Sequence, residues 1–172
     1  MLARRVALDH PALTWWCPQL PVSPQAAMEL VCRGIAGWPR DTMAIVGSSL
    51  GGFYATWLAE RLDCKAVLLN PAVHAARDLG RHVGEHAAWH DPAQRLVLEP
   101  AHVQQLRALQ SAGPTRPDRY YLLAAKGDEV LDWREMVARY PGAGLRLIEG
   151  SDHGLTDFAE HIDAVMRFLE LA

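Results

Sequence analysis

Residues 44–60 read AIVGSSLGGFYATWLAE. An apolar run ends in a glycine, two serines follow, and from Leu50 onward the apolar residues recur at helical spacing. Either this is a plain glycine-rich turn, or one serine is held at a strand end where it can act as a nucleophile. Gly47-Ser48-Ser49-Leu50-Gly51 fits G-x-S-x-G with Ser49 in the serine position. That pattern demands a tight strand-to-helix turn, with a strained serine backbone and small residues two positions to either side. Gly47 and Gly51 meet the demand. The following helix aims its N-terminal N–H groups and positive dipole end at the site, which makes Leu50 N–H the expected oxyanion donor.

Outward from this stretch, strand and helix patterns alternate. TMAIVG (42–47) reads as a strand and LGGFYATWLAERL (50–62) as a helix. KAVLLN (65–70) is a strand whose nearly continuous apolar run suits a sheet covered on both faces. RYYLLAAKG (119–127) and LRLIEG (145–150) are strands, and DWREMVARYPG (132–142) is a helix closed by proline and glycine. TDFAEHIDAVMRFLEL (156–171) reads as a final helix with Phe158, Ile162, Val165 and Leu169 on one face. Near the start, MLARRVAL reads as the end of a helix and LTWWCPQL (13–20) as a short buried strand. Ser23-Pro24 opens another helix, an N-cap hydroxyl followed by proline at the first helical position. Residues from about 71 to 117 are less regular and hold five of the eight histidines. The alternation argues for one α/β domain over residues 1–172, a mostly parallel sheet with helices on both faces.

A serine nucleophile needs a base, and the base needs an orienting carboxylate. On an α/β-hydrolase sheet the order along the chain is serine, acid, histidine, each in a loop after a strand. Asp128 follows RYYLLAAKG and His153 follows LRLIEG, which puts Ser49, Asp128 and His153 at the same sheet end if the strands are parallel. Asp132 and Asp152 are rival acids. Asp132 opens a helix and reads as its N-cap or first-turn acid, while Asp152 adjoins His153 and neighbouring side chains rarely aim at each other.

PQLP (18–21), GSSLGGFYATWLAE (47–60), LLNPAV (68–73), KGDEVLDWRE (126–135) and IEGSDHG (148–154) together resemble the small YqiA-type esterases of the α/β-hydrolase superfamily, over nearly the whole chain. The resemblance implies a three-layer fold with a small helical cap over about 71–117. It implies a serine carboxylesterase acting on acyl esters, with acyl thioesters as a further class and no cofactor. The family nucleophile falls on Ser49, the acid on Asp128 and the base on His153. NPAV (70–73) falls on the same motif in the family, opening into the irregular segment. One departure stands out. Family members begin with a strand that ends in His-Gly-Phe and leads to a loop supplying the second oxyanion N–H. Here Met1 falls inside the first family helix, so the resemblance implies a natural protein that starts upstream. Two other classes of function stay open: a protein that binds acyl ligands without turnover because its oxyanion hole is half built, and a hydrolase of lactones or peptides.

The net charge of −3 and the scattered Lys and Arg give nucleic acid nothing to bind. No run of about 18 apolar residues suggests a membrane span, and no apolar region follows the first arginines as in a signal peptide. The expected setting is cytoplasmic and the expected partner a small-molecule ester. Cys17, Cys32 and Cys64 lack metal-ligand spacing and read as buried, reduced thiols. His82, His86 and His90 recur every four residues, as zinc ligands on a helix can, but Gly84 interrupts the pattern and a polar cap face is the plainer reading. Trp15, Trp16, Trp57 and Trp89 read as core or cap packing rather than a substrate cage.

Overall fold

The computed structural model describes residues 1–88 and 91–171. Helices α1 (Leu2–Asp9) and α2 (Pro24–Gly34) precede strand β1 (Ala44–Ser48). Helix α3 (Leu50–Leu62) and strand β2 (Lys65–Leu69) follow. The cap segment comes next: α4 (Ala75–Leu79), a 3₁₀ turn at Gly80–His82, β3 (Gly84–Ala88), β4 (Asp91–Leu98) and α5 (Pro100–Ala108). The chain then returns through β5 (Tyr120–Ala125), α6 (Trp133–Arg139), β6 (Gly144–Ile148) and α7 (Ile162–Phe168).

Among the described residues the central sheet has four parallel strands in the order β1-β2-β5-β6. Alternation along the strands sorts its side chains onto two faces. Ala66, Leu68, Leu122 and Ala124 pack with Ala55 and Ala59 of α3 and Met136 of α6. Val67, Leu123, Ala125 and Ile148 pack with Leu2 and Val6 of α1 and Ile162, Val165 and Met166 of α7. This is the three-layer arrangement of an α/β-hydrolase. A third cluster joins Ala27 and Met28 of α2 to Phe53, Tyr54 and Leu58 of α3 and to Ala75 and Leu106 of the cap.

Register brings the strand ends level. Ser48 lies beside Leu69, Leu69 beside Leu123, and Ala125 beside Ile148. The loops carrying Ser49, Asp128 and His153 therefore leave the sheet at one end. Strand β1 forms the sheet margin, and a cavity of about 320 Å³ runs along it, lined by Trp15, Trp16, Cys17, Ile45, Gly47 and Ser48 among others.

Several expectations need correction. LTWWCPQL is not a buried strand: it pairs with no strand among the described residues, and Leu13, Trp15 and Trp16 are exposed. Apolar content alone does not make a strand when no ladder partner is in reach. The segment is anchored by side chains instead. Trp16 lies against Gly34, where any Cβ would meet the indole ring at 2.2 Å, and tilts toward Trp38. The expected final helix is broken, with a 3₁₀ turn at Phe158–Glu160 ahead of α7, although Phe158 and Leu169 still face the same cluster. The cap is helical only in part, since an antiparallel hairpin of β3 and β4 lies between its helices. Cys64 is buried, its thiol pushed up to about 11 by burial, but Cys17, in the Leu13–Leu20 segment, and Cys32, on α2, are exposed.

The cap is tied down from both sides. Arg77 of α4 donates a two-pronged pair of hydrogen bonds to Glu135 of α6, at 2.7 and 2.6 Å. Thr115 N–H, past α5, donates to Glu60 at the far end of α3. Among the described residues, no helix is long and apolar enough to cross a membrane.

Candidate active site

Ser49 sits between β1 and α3 with φ 52° and ψ −121°, a left-handed conformation that non-glycine residues rarely adopt. Its N–H donates to Leu69 O at 2.9 Å and its carbonyl accepts from Ala72 N–H at 3.0 Å, so the strained turn is held from β2 and the start of the cap. Gly47 is required. A Cβ there would lie 2.2 Å from the Gly51 carbonyl oxygen. Gly51 is not required on the same ground, because a Cβ there meets nothing within 4 Å. The second tight position is Gly52, where a Cβ would come within 2.7 Å of Pro71.

His153 Nε2 lies 3.0 Å from Ser49 Oγ. On the other side of the ring, Nδ1 lies 2.9 Å from Asp128 Oδ2 and 3.0 Å from Oδ1. The Asp128 carboxylate is fully shielded from solvent, and His153 is 21% exposed. Asp128 Oδ1 also accepts from the N–H groups of Val130 and Leu131 at 2.8 and 2.9 Å. Those bonds satisfy the carboxylate and fix its plane. Nδ1–H donating to Asp128 leaves Nε2 as the acceptor facing the serine hydroxyl. Leu50 is the first residue of α3, and the first N–H groups of a helix have no partner inside it.

The rival acids do other work. Asp132 Oδ1 accepts from Arg134 N–H at 2.9 Å and caps α6. Asp152 accepts from the N–H and hydroxyl of Thr156 at 3.0 and 2.9 Å, bonds that hold its carboxyl below the usual carboxylate range. Two residues passed over in the sequence touch the site. Glu129 Oε2 accepts from His153 N–H at 3.0 Å. Gly127 lets the Asp128 and His153 loops approach, since a Cβ there would lie 2.2 Å from Ser151 O. The Gly-Asp pair was a legible signal for a close turn. Nothing in the sequence marks Glu129.

Beside Leu50 a cavity of about 830 Å³ opens between α3 and the cap hairpin, lined by Leu20, Tyr54, Leu79, Leu96 and Leu98 with His82 and His86 at its wall. His82 ends the 3₁₀ turn and His86 lies on β3, so they share no helix face. His90 and Trp89 lie outside the described residues. Among the described residues no three His, Cys, Asp or Glu side chains are placed to hold a metal. Trp57 borders the cluster beneath the cap and lies under the Arg61 guanidinium.

The family model described as "Uncharacterised protein family (UPF0227)" matches residues 1–170. The chain belongs to the UPF0227 family. Its fold is shared with solved α/β-hydrolase structures at low sequence identity. A protein of Agrobacterium vitis S4 named as a hydrolase is 20% identical, with a TM-score of 0.66 over 86% of this chain and 69% of that one. A methylesterase from Arabidopsis is 13% identical, with a TM-score of 0.66 over 98% and 92%. A monoacylglycerol lipase from Paleococcus ferrophilus is 16% identical, with a TM-score of 0.58 over 87% and 76%. At these identities the likeness of this UPF0227 member to them is one of fold.

Proposed function

We propose that this UPF0227 protein is a serine hydrolase of acyl esters, with Ser49 as nucleophile, His153 as general base and then acid, and Asp128 as the carboxylate that orients the imidazole. The observation that carries the reading is the 3.0 Å approach of His153 Nε2 to the hydroxyl of a serine held at positive φ. As Ser49 Oγ attacks the ester carbonyl carbon, its proton passes to Nε2. The carbonyl oxygen becomes an oxyanion held by Leu50 N–H at the α3 N-terminus. The tetrahedral intermediate collapses, the C–O bond breaks, and Nε2 returns the proton to the leaving alcohol. Water then attacks the acyl-Ser49 bond by the same route, releasing the acid and free serine. Asp128 stays ionised throughout and stabilises the imidazolium. The apolar cavity beside Leu50 favours an acyl chain over a charged group.

Methylesterase and monoacylglycerol lipase among proteins of the same fold agree with an ester substrate. The test is a fluorophosphonate probe followed by intact and peptide mass. A single adduct on Ser49, absent in His153→Ala and Ser49→Ala, together with ester turnover lost in the same variants, is the expected result. A folded wild-type protein that takes no adduct overturns the reading. One observation favours a second reading, acyl-ligand binding without turnover. Among the described residues strand β1 lies at the sheet margin, with no strand on its outer side to carry a second oxyanion donor toward Ser49. Binding of a fatty acid by a protein that takes no adduct would select it, and a panel of lactones and peptides addresses the remaining chemistry.

A further inference from the structure

Asn70 directly follows β2 and is completely buried. Its side-chain amide hydrogen-bonds the His153 loop on one side and the end of β5, which leads to Asp128, on the other. Nδ2 donates to Asp152 O at 3.0 Å and to His153 O at 3.1 Å. Oδ1 accepts from Ala125 N–H at 2.8 Å. The amide's orientation follows from these partners, since carbonyls need the NH₂ end and a backbone N–H needs the oxygen. Ala125 O in turn takes the N–H of Asp128. The same short stretch holds the serine, through Leu69 O and Ala72 N–H on either side of Asn70. Asn70 has φ 41°, a conformation asparagine tolerates better than most residues.

We propose that Asn70 is a positioning residue for the Ser49–His153–Asp128 relay, its amide tying the peptide of His153 to the strand end that carries Asp128. The role rests on the hydrolase reading of those three residues. His153 is gripped twice: Glu129 takes its N–H from an exposed position, and Asn70 takes its carbonyl from the core. The second grip excludes water and fixes how far the imidazole stands from both partners. An amide is required there. Aspartate has the same shape but turns an oxygen toward two carbonyl oxygens, and glycine suits the backbone but leaves all three bonds unmade.

The test uses Asn70→Asp and Asn70→Gly in the full chain, each first checked for cooperative melting. The first readout is the Nδ1 proton of His153 in the resting protein, a strongly deshielded resonance assigned by its loss in His153→Ala. The second is kcat against KM on a p-nitrophenyl acyl ester. In each folded variant the resonance is expected to shift or vanish, with kcat falling on the order of 10²-fold, as for a misplacement of about 1 Å, and KM changing by less than about twofold. A folded variant that keeps both resonance and kcat overturns the proposal. A wild-type protein that shows the resonance but turns over no ester defeats the esterase reading alone, because positioning is then still read from the resonance. If both variants unfold, the wild-type Asn70 side-chain amide decides: two slowly exchanging, well-separated protons support the role, and rapid exchange overturns it.

Discussion

At Ser49 the chain turns through a conformation that costs about 1–3 kcal/mol, recovered only because its surroundings over-determine it. The two flanking glycines of the motif make unequal contributions. Gly47→Ala drives a methyl into the Gly51 carbonyl and is expected to prevent folding or remove several kcal/mol of stability. Gly51→Ala meets open space on a helix and is expected to leave stability unchanged or raise it, by up to about 1 kcal/mol, with the melting temperature held or raised accordingly. Paired thermal melts check this, and equal losses in the two would refute the difference. The tight turn at Ser49 was legible because the motif carries its own geometry. The unequal glycines were not, because the pentapeptide does not reveal where the helix backbone runs.

At the scale of single elements, local chemistry and sequence pattern agree closely. Ser23 caps α2 by accepting from Ala26 N–H at 3.2 Å, and Asp132 caps α6. Asp132→Ala should cost about 1 kcal/mol in urea melts while leaving fluorophosphonate labelling of Ser49 intact. Asp128→Asn should do the reverse, with labelling slowed by about 10³-fold or more because the carboxylate no longer selects the imidazole tautomer. Comparable labelling rates in the two variants would reassign the acid. Elements without strong local signals were misread. The Leu13–Leu20 segment is apolar enough for a strand but finds no ladder among the described residues, and the cap hairpin lay hidden in a histidine-rich stretch whose period suggested a helix.

For the whole molecule, the end of the sheet away from Ser49 is closed by a partly buried polar network. Arg119, 5% exposed, pairs with Asp63 and approaches Glu60 at 3.6 Å, and Glu60 accepts from Tyr120 OH at 2.5 Å and from Thr115 N–H at 3.1 Å. Burial pushes the Glu60 carboxyl up, but the bonds from Tyr120 and Thr115 and the Arg119 charge outweigh it and hold the carboxyl below its ordinary 4.5. A group lowered on folding stabilises fully above its unfolded value, and that contribution is lost as pH falls through the folded value. Glu60→Gln should therefore cost about 1.5–3 kcal/mol at neutral pH, with the gap from wild type closing as pH drops below 4.5. Urea melts across that range check it, and a gap independent of pH would contradict it. At the other end, the cavity wall belongs to a distant part of the chain. Leu96→Trp, on β4, should shift ester preference toward shorter acyl chains, seen as kcat/KM across a chain-length series. An unchanged profile would place the acyl chain elsewhere.

By itself the sequence determined the alternation of strand and helix, the two helix caps, and the three residues that stand at strand ends in the order serine, acid, histidine. Those features rest on periodicity and on motifs that span a few residues, so they can be read along the chain. Only the tertiary structure decided that parallel register brings Ser49, His153 and Asp128 within hydrogen-bond distance. It also decided that Asn70 joins the His153 loop to the end of β5 and that the cavity is walled by the hairpin. Those hydrogen bonds link residues 25 to 104 positions apart, and such distances close only when the buried faces of the sheet pack against their helices.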